Sequence, residues 1–363
     1  FSVGKNDNLE RGSYRVRYRG GVTLAFDMEL TLPRKEKWAN PAGIALTEKS
    51  VYVFDGGIPS APLAKKEDAP PNDDPLESGA TYLYKFSRDG KPDTTFGDRG
   101  RATLFDKPTG IMSVAADENG LVYFPSGMHE IIVLGKTGER SGQTLGGYAA
   151  DPKSPRHTIW TGGAALGPDP RIYILMGSAV RVYDRRKSNF DGFLYTGHCT
   201  HLNNSARSIA SDRRGSIYLI AHPVNVFQKI HDTGKEIKEG YLADANDKMY
   251  APMGLSAGGS LVWIADHGPG PGPFWDSGGG NEIILFWDNG EKLVLLERFG
   301  AGGKARDRLE FINPCTTIQT PDHMELWVVE DGLRNADGPP GNARVRKFRI
   351  TAASSEEVPL ELK

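Results

Sequence analysis

Cysteine is almost missing from this chain: 2 in 363 residues, Cys199 and Cys315. Two thiols so far apart make neither a disulfide framework nor a spaced zinc set. They read as buried free thiols or as one long-range bridge. Such cysteine poverty fits a bacterial extracytoplasmic protein, secreted or periplasmic, although many cytosolic chains are equally poor. Long apolar runs are missing too. None reaches the ~18 residues that a membrane span needs. Charge of one sign is not in excess, with 44 basic against 46 acidic side chains and a net of −2. No global field draws nucleic acid or an anionic membrane. The basic clusters Arg34-Lys35, Arg185-Arg186-Lys187 and Arg213-Arg214 are scattered and read as solvated turn tips rather than phosphate sites. There is no Cys-x-x-Cys-His run for covalent haem, no nucleophile elbow and no phosphate loop. A signal peptide and an initiator methionine are also lacking, so the start at Phe1 is expected to be processed or trimmed from something longer. Sustained three-and-four apolar spacing is rare, which leaves little room for helices.

Glycine and proline are abundant, at 44 and 24 residues. They imply many tight turns and, with the scarcity of helix, an all-β class. A short pattern recurs within this chain: apolar, aromatic, apolar, variable, then often an acid. It reads Val51-Tyr52-Val53-Phe54-Asp55, Val122-Tyr123-Phe124-Pro125, Ile172-Tyr173-Ile174-Leu175-Met176, Ile217-Tyr218-Leu219-Ile220-Ala221, Val262-Trp263-Ile264-Ala265-Asp266 and Leu326-Trp327-Val328-Val329-Glu330. The aromatic spacings are 71, 50, 45, 45 and 64, a period near 45 with insertions. Each run is apolar on both alternating faces, so each strand must be covered on both sides.

A small-residue strand precedes each run: Pro41–Ile44, Pro108–Ile111, Gly162–Ala165, Ala206–Ile209, Pro252–Leu255 and Pro314–Thr317. Asp-x-x-Gly turns such as Asp117–Gly120 and Asp212–Gly215 lead on from it. A third strand follows at Tyr82–Phe86, Glu130–Leu134, Val180–Tyr183, Val226–Ile230, Glu282–Phe286 and Val345–Ile350. The units Phe96–Gly100 through Pro108–Ile111 to Val122–Phe124 and Ile131–Leu134, and Phe299-Gly300 through Asn313-Pro314 to Leu326–Val328, resemble the NHL-repeat family. The resemblance spans residues 22–350. It implies a six-bladed β-propeller of four-stranded blades, and little about activity, since this architecture hosts unrelated functions.

Val22, Leu24, Phe26, Met28, Leu30 and Leu32 alternate as a half-buried strand. It is expected to supply the outer strand of the last blade and so close the ring. Gly20-Gly21 suits a hairpin turn after Tyr14–Arg19. The expected organisation is an N-terminal extension or hairpin over residues 1–21, the propeller over 22–350 and a polar tail over 351–363.

The resemblance places ligands on the face carrying the loops between second and third strands. Those loops begin at Asp55, Pro125, Met176, Ala221, Asp266 and Glu330. Asp266, His267, His129 and His222 are the catalytic candidates there. Asp266, His267, Glu330 and Asp331 are the candidate ligands for one divalent cation, calcium or zinc. The structural alternative stands beside each. The acid after the second strand bonds turn amides in many such repeats, and a histidine before Pro223 shapes a turn. His198 and His201 flank Cys199 in a loop, a weak metal signal. Relatives of this architecture that are enzymes depart from this chain. The peptidyl-amidoglycolate lyase keeps zinc histidines partly on its inner strands, and the calcium-dependent lactonases resembling gluconolactonase keep a glutamate on the first. None of these six inner strands has a histidine, and Pro41–Leu46 has no glutamate.

The loops are unequal. The long ones run from Gly56 to Gly79, Gly268 to Asn281 and Gly332 to Ala343, in units one, five and six. These units are neighbours if the ring closes. Their loops would form a wall on one side of one face. Phe274, Trp275, Arg334 and Asp55 are its candidate ligand contacts, since exposed aromatics suit stacking on a sugar or packing on a partner. Two function classes follow. One is a non-catalytic recognition module or subunit for a glycan, peptide or protein partner. The other is a metal-assisted hydrolase or lyase acting on a sugar or lactone. Neither reading involves nucleic acid or a membrane span.

Overall fold

The computed structural model describes residues 14–33, 37–39, 41–56, 80–105, 114–125, 131–145, 161–176, 179–186, 190–195, 206–212, 215–221, 226–232, 252–258, 260–266, 282–290, 292–299, 312–319, 324–330 and 343–359. The chain enters on a long strand, β1 (Tyr14–Glu29), and then builds one antiparallel sheet after another. The first sheet holds β2 (Pro41–Leu46), β3 (Ser50–Asp55), β4 (Thr81–Ser87) and β5 (Arg101–Phe105). The second holds β6 (Ala115–Ala116), β7 (Val122–Pro125), β8 (Ile131–Leu134) and β9 (Arg140–Leu145). The third holds β10 (Thr161–Leu166), β11 (Arg171–Met176), β12 (Ala179–Asp184) and β13 (Phe190–Tyr195). The fourth shows three strands among the described residues, β14 (Ala206–Ser211), β15 (Ser216–Ala221) and β16 (Val226–His231). The fifth holds β17 (Pro252–Gly258), β18 (Leu261–Asp266), β19 (Glu282–Asp288) and β20 (Leu293–Phe299). The sixth is built from β21 (Ile312–Gln319), β22 (Met324–Glu330) and β23 (Arg344–Pro359), with β1 outermost.

The N-terminal strand thus completes the sixth sheet. Two details differ from expectation. Gly20-Gly21 does not turn the chain, because β1 runs through it. The register shifts there instead: Arg19 pairs Ser354 and Val22 pairs Ala352, so two residues face one. Such a bulge absorbs an extra residue without ending the ladder. The polar segment after Ile350 is strand as far as Pro359, because β1 offers it a partner.

The two-sided apolar pattern is explained by the packing. The core is divided into clusters lying between neighbouring sheets, and the second strand of each sheet feeds two of them. Val51 and Val53 pack with Trp327 and Val329 of the sixth sheet. Tyr52 and Phe54 pack with Val122 and Phe124 of the second. The aromatic of every run looks toward the following sheet in this way, Tyr123 toward Ile172, Tyr173 toward Ile217, Tyr218 toward Val262 and Trp263 toward Leu326. All six aromatics are buried. Each such ring contributes about 1.5–3 kcal/mol by leaving water.

The small-residue strands face one another. β2 touches β6 and β21, β6 touches β10, β10 touches β14, β14 touches β17, and β17 touches β21. Their low bulk allows this approach. Five of them also open with a register shift, at Pro41/Gly43, Thr161/Gly163, Ala206/Ser208, Pro252/Gly254 and Ile312/Cys315. The repetition marks the bulge as a device of the fold.

Candidate functional site: the loop face

The six second strands end at Asp55, Pro125, Met176, Ala221, Asp266 and Glu330, the residues from which the connecting loops were expected to leave. Carboxylates therefore stand at this position in the fifth, sixth and first sheets only. These sheets are neighbours, since β21 lies against both β17 and β2. Asp55, Asp266 and Glu330 are all buried.

Each buried carboxylate must be answered by hydrogen bonds or cations. Asp55 accepts the Ala39 N–H at 2.9 Å through Oδ2. The acid thereby ties the segment before β2 to the end of β3. Glu330 is more heavily engaged. Its Oε2 accepts Arg344 Nε at 2.6 Å, and its Oε1 takes Arg346 Nη2. Both arginines sit on β23, where Arg344 pairs Glu330 and Arg346 pairs Val328 and Glu29 across the ladders. Burial pushes the Glu330 carboxyl up, against the pull of Arg346 and Arg344. Burial likewise lowers the Arg346 guanidinium. Removing charges from water is costly, so the cluster holds together through its geometry rather than by a surplus of Coulomb energy. Asp266 ends β18 opposite Pro252 on one side and Glu282 on the other. Glu282 in turn pairs with Arg298 of β20.

Of the metal candidates, Asp266 and Glu330 lie among the described residues, and Glu330 is committed to two arginines. Among the described residues no three His, Cys, Asp or Glu side chains gather as a cation would require. His129, His222, His267, Phe274, Trp275, Asp331 and Arg334 lie outside the described residues, as do His198, Cys199 and His201. At the inner-strand bulges, register leaves Ala42, Gly162, Arg207 and Met253 without a cross-strand partner beside these strand ends. Arg207 and Met253 carry no motif that would have singled them out in the sequence.

The opposite face, which carries the turns, holds a set of polar contacts that sequence reasoning missed. The Tyr123 hydroxyl donates to Asp117 Oδ2 at 3.0 Å, and Arg185 of the third sheet donates to the same oxygen at 2.7 Å. The Tyr218 hydroxyl and Lys229 Nζ donate to Asp288 Oδ2 of the fifth sheet at 2.6 and 2.5 Å. Trp327 Nε1 donates to Glu325 Oε2 at 3.1 Å, and Arg88 of the first sheet pairs with that carboxylate. Tyr173 and Arg171 share Asp232 of the fourth sheet. Lys85 lies over Tyr52 and reaches Lys136 O of the second sheet at 3.4 Å. In four of the six runs, at Tyr123, Tyr173, Tyr218 and Trp327, the recurring aromatic is an apolar filler whose polar tip meets the carboxylate that bolts one sheet to the next. The Asp-x-x-Gly turns were half of the signal. Asp117 Oδ1 accepts Asn119 N and Leu121 N at 3.0 and 3.1 Å, and Gly120 closes that turn at φ 80°.

No family model and no curated protein matches the chain by sequence. Solved structures do resemble it. A luciferin-regenerating enzyme is 11% identical over 91% of this chain and 96% of that one, at a TM-score of 0.51. A catalytically inactive virginiamycin B lyase from Staphylococcus aureus, crystallised with quinupristin, is 14% identical over 90% of this chain and 99% of its own, at 0.48. A protein from Lactobacillus plantarum is 15% identical over 85% and 87%, at 0.46. The luciferin-regenerating enzyme is a β-propeller, and at such identity the likeness speaks for the fold alone: with its succession of antiparallel sheets, this chain is a β-propeller.

Proposed function

We propose that the chain is a six-bladed propeller of NHL type, closed by β1, that acts as a recognition module or subunit and binds a glycan, peptide or protein partner on its loop face. The blade number and closure are supported by the cyclic order in which the inner strands touch and by the pairing of β1 with β23. One observation carries the recognition reading. Glu330, one of the loop-face carboxylates that a metal-assisted mechanism would use, is engaged in structure by Arg344 and Arg346. The ligand is read as lying against the long loops of the fifth, sixth and first blades, with Trp275, Phe274 and Arg334 as contacts. The test is a glycan and peptide array probed with the full chain and with the paired Trp275→Ala, Arg334→Ala variant. Binding that is lost in a folded double variant is expected, and unchanged binding overturns the reading. Metal analysis of protein purified without chelator decides the alternative: a stoichiometric divalent ion would replace recognition by metal-assisted hydrolysis or lysis of a sugar or lactone.

A further inference from the structure

The sixth sheet differs from the others in outline. β22 has 7 residues, whereas β23 and β1 have 16 each. The pairing of β22 with β23 stops at Met324 and Ile350, on the turn face. β1 and β23 run on together past that point. From Tyr14 opposite Pro359 to Arg19 opposite Ser354 they form six cross-strand pairs, in which each strand has only the other among the described residues. The bulge at Gly20-Gly21 stands where this ribbon leaves the sheet. A bulge bends its strand and sharpens the twist, so it sets the direction of the ribbon there.

A two-stranded ribbon is marginal in water on its own. This one is sorted by charge. Its β1 half reads Tyr14-Arg15-Val16-Arg17-Tyr18-Arg19, and its β23 half reads Ser354-Ser355-Glu356-Glu357-Val358-Pro359. One strand is basic and the other acidic, with Arg17 registered on Glu356. Successive strand positions alternate between faces, so Arg15, Arg17 and Arg19 share one face and Tyr14, Val16 and Tyr18 the other. β1 is also the end strand of its sheet, with no strand beyond it among the described residues. Thr23, Ala25 and Glu29, farther along it, are exposed. An edge of this length is a template for a further strand unless charge forbids it. The arginines disfavour a second β1, since like charges on facing strands destabilise a ladder. They favour an acidic strand, the kind that β1 already holds on its inner side.

We propose that the outer edge of β1, along the Tyr14–Arg19 ribbon, is a docking edge for an acidic extended segment of a partner protein, which adds to the sixth sheet as a further strand. Backbone hydrogen bonds along the edge supply the affinity, and the alternating arginines select the charge of the incoming strand. The arm gains as well, because three strands hold together better in water than two. The ribbon leaves the sheet at its turn-face end, so this surface is independent of the loop face.

The probe is a synthetic peptide of the chain's own residues 353–360, blocked at both ends, which spans the acidic half of the ribbon. It is titrated into the full-length chain, and hydrogen exchange is read over residues 14–29 and 351–359. Saturable slowing over 14–29 is expected at peptide concentrations on the order of 100 μM, with exchange over 351–359 no faster. The affinity should fall at least about fivefold between about 50 mM and about 300 mM salt. A peptide with lysine at both glutamate positions, and a chain carrying Arg15→Ser and Arg19→Ser, should each bind at least about tenfold more weakly. The Trp275→Ala, Arg334→Ala chain should bind the peptide unchanged, which separates this outcome from that of the loop-face reading. Thermal unfolding shows that the arginine variant is folded, and Arg19→Ser alone is the substitute if it is not. No saturable slowing by about 2 mM peptide, equal binding of the lysine peptide, an affinity indifferent to salt, or undiminished binding by the arginine variant overturns the proposal. So does a loss of binding in the loop-face variant, or faster exchange over 351–359, which marks displacement of the chain's own tail. Self-association of the chain that the peptide reverses overturns it too, since a second copy then occupies this edge.

Discussion

The two faces of the propeller use carboxylates in opposite ways. On the turn face, Asp117, Asp232, Asp288 and Glu325 recur at one seam after another, each tied to an aromatic tip and a cation. On the loop face, the strand-ending carboxylates Asp55, Asp266 and Glu330 occupy three neighbouring sheets and are replaced by Pro125, Met176 and Ala221 in the rest. A residue repeated from sheet to sheet serves a recurring need, contact with the neighbouring sheet. A residue confined to one arc serves something local. Glu330 shows that local does not have to mean catalytic, because its partners are two buried arginines of its own sheet.

The comparison is tested hardest at Glu330. Glu330→Ala should take a shared carboxylate from two buried guanidinium groups and cost about 3–5 kcal/mol, read as a lower urea midpoint. A neutral or stabilising result would return Glu330 to the list of ligand contacts. Next in size comes Asp117→Ala on the turn face. It strips Tyr123 and two turn amides of an acceptor, leaves Arg185 with Asp169 and the Pro170 carbonyl, and should cost about 2–3 kcal/mol by the same measurement. A loss as large as that of Glu330→Ala would erase the distinction drawn between the two kinds of acid.

Tyr123→Phe removes one hydroxyl at the same seam and should cost about 1 kcal/mol. It carries a pH signature as well. Burial, reinforced by Asp117, pushes the Tyr123 phenol up to about 12. The folded state then holds its proton where the unfolded chain releases it. This contribution is whole below the ordinary tyrosine value near 10 and is lost as pH rises toward about 12. Ultraviolet titration should show fewer tyrosines ionising before unfolding than the chain contains, and Tyr123→Phe should reduce the late-ionising set. The smallest effect is expected at Asp89, which is paired with Lys91 on the surface. The hydrogen bond from Lys91, with Ser87 adding to it, lowers its carboxyl to about 2. The pairing helps above the ordinary carboxylate range and fades as pH falls toward about 2. The pair is fully in solvent, so Asp89→Asn should leave the urea midpoint at neutral pH unchanged.

The strand framework was legible because strand 2 of each unit carries its own evidence. Val51-Tyr52-Val53-Phe54 is apolar on both faces, and only a strand between two layers tolerates that. The six strand ends from Asp55 to Glu330 followed directly. The site was less legible. Asp55 and Glu330 look alike in sequence, each an acid after an apolar run, yet one accepts a backbone amide and the other two guanidinium groups. Arg344 and Arg346 lie 14 and 16 residues away from Glu330, and strand pairing alone brings them to it.

The sequence by itself determined the all-β class, the period, the order of strands within each unit and the reuse of the N-terminal strand, since each rests on local alternation and turn chemistry. Tertiary structure decided what the polar residues do. Asp232 meets Arg171 across 61 residues, and Arg88 meets Glu325 across 237. The partner of a buried charge is chosen by which sheet packs beside it, and no local pattern encodes that neighbour.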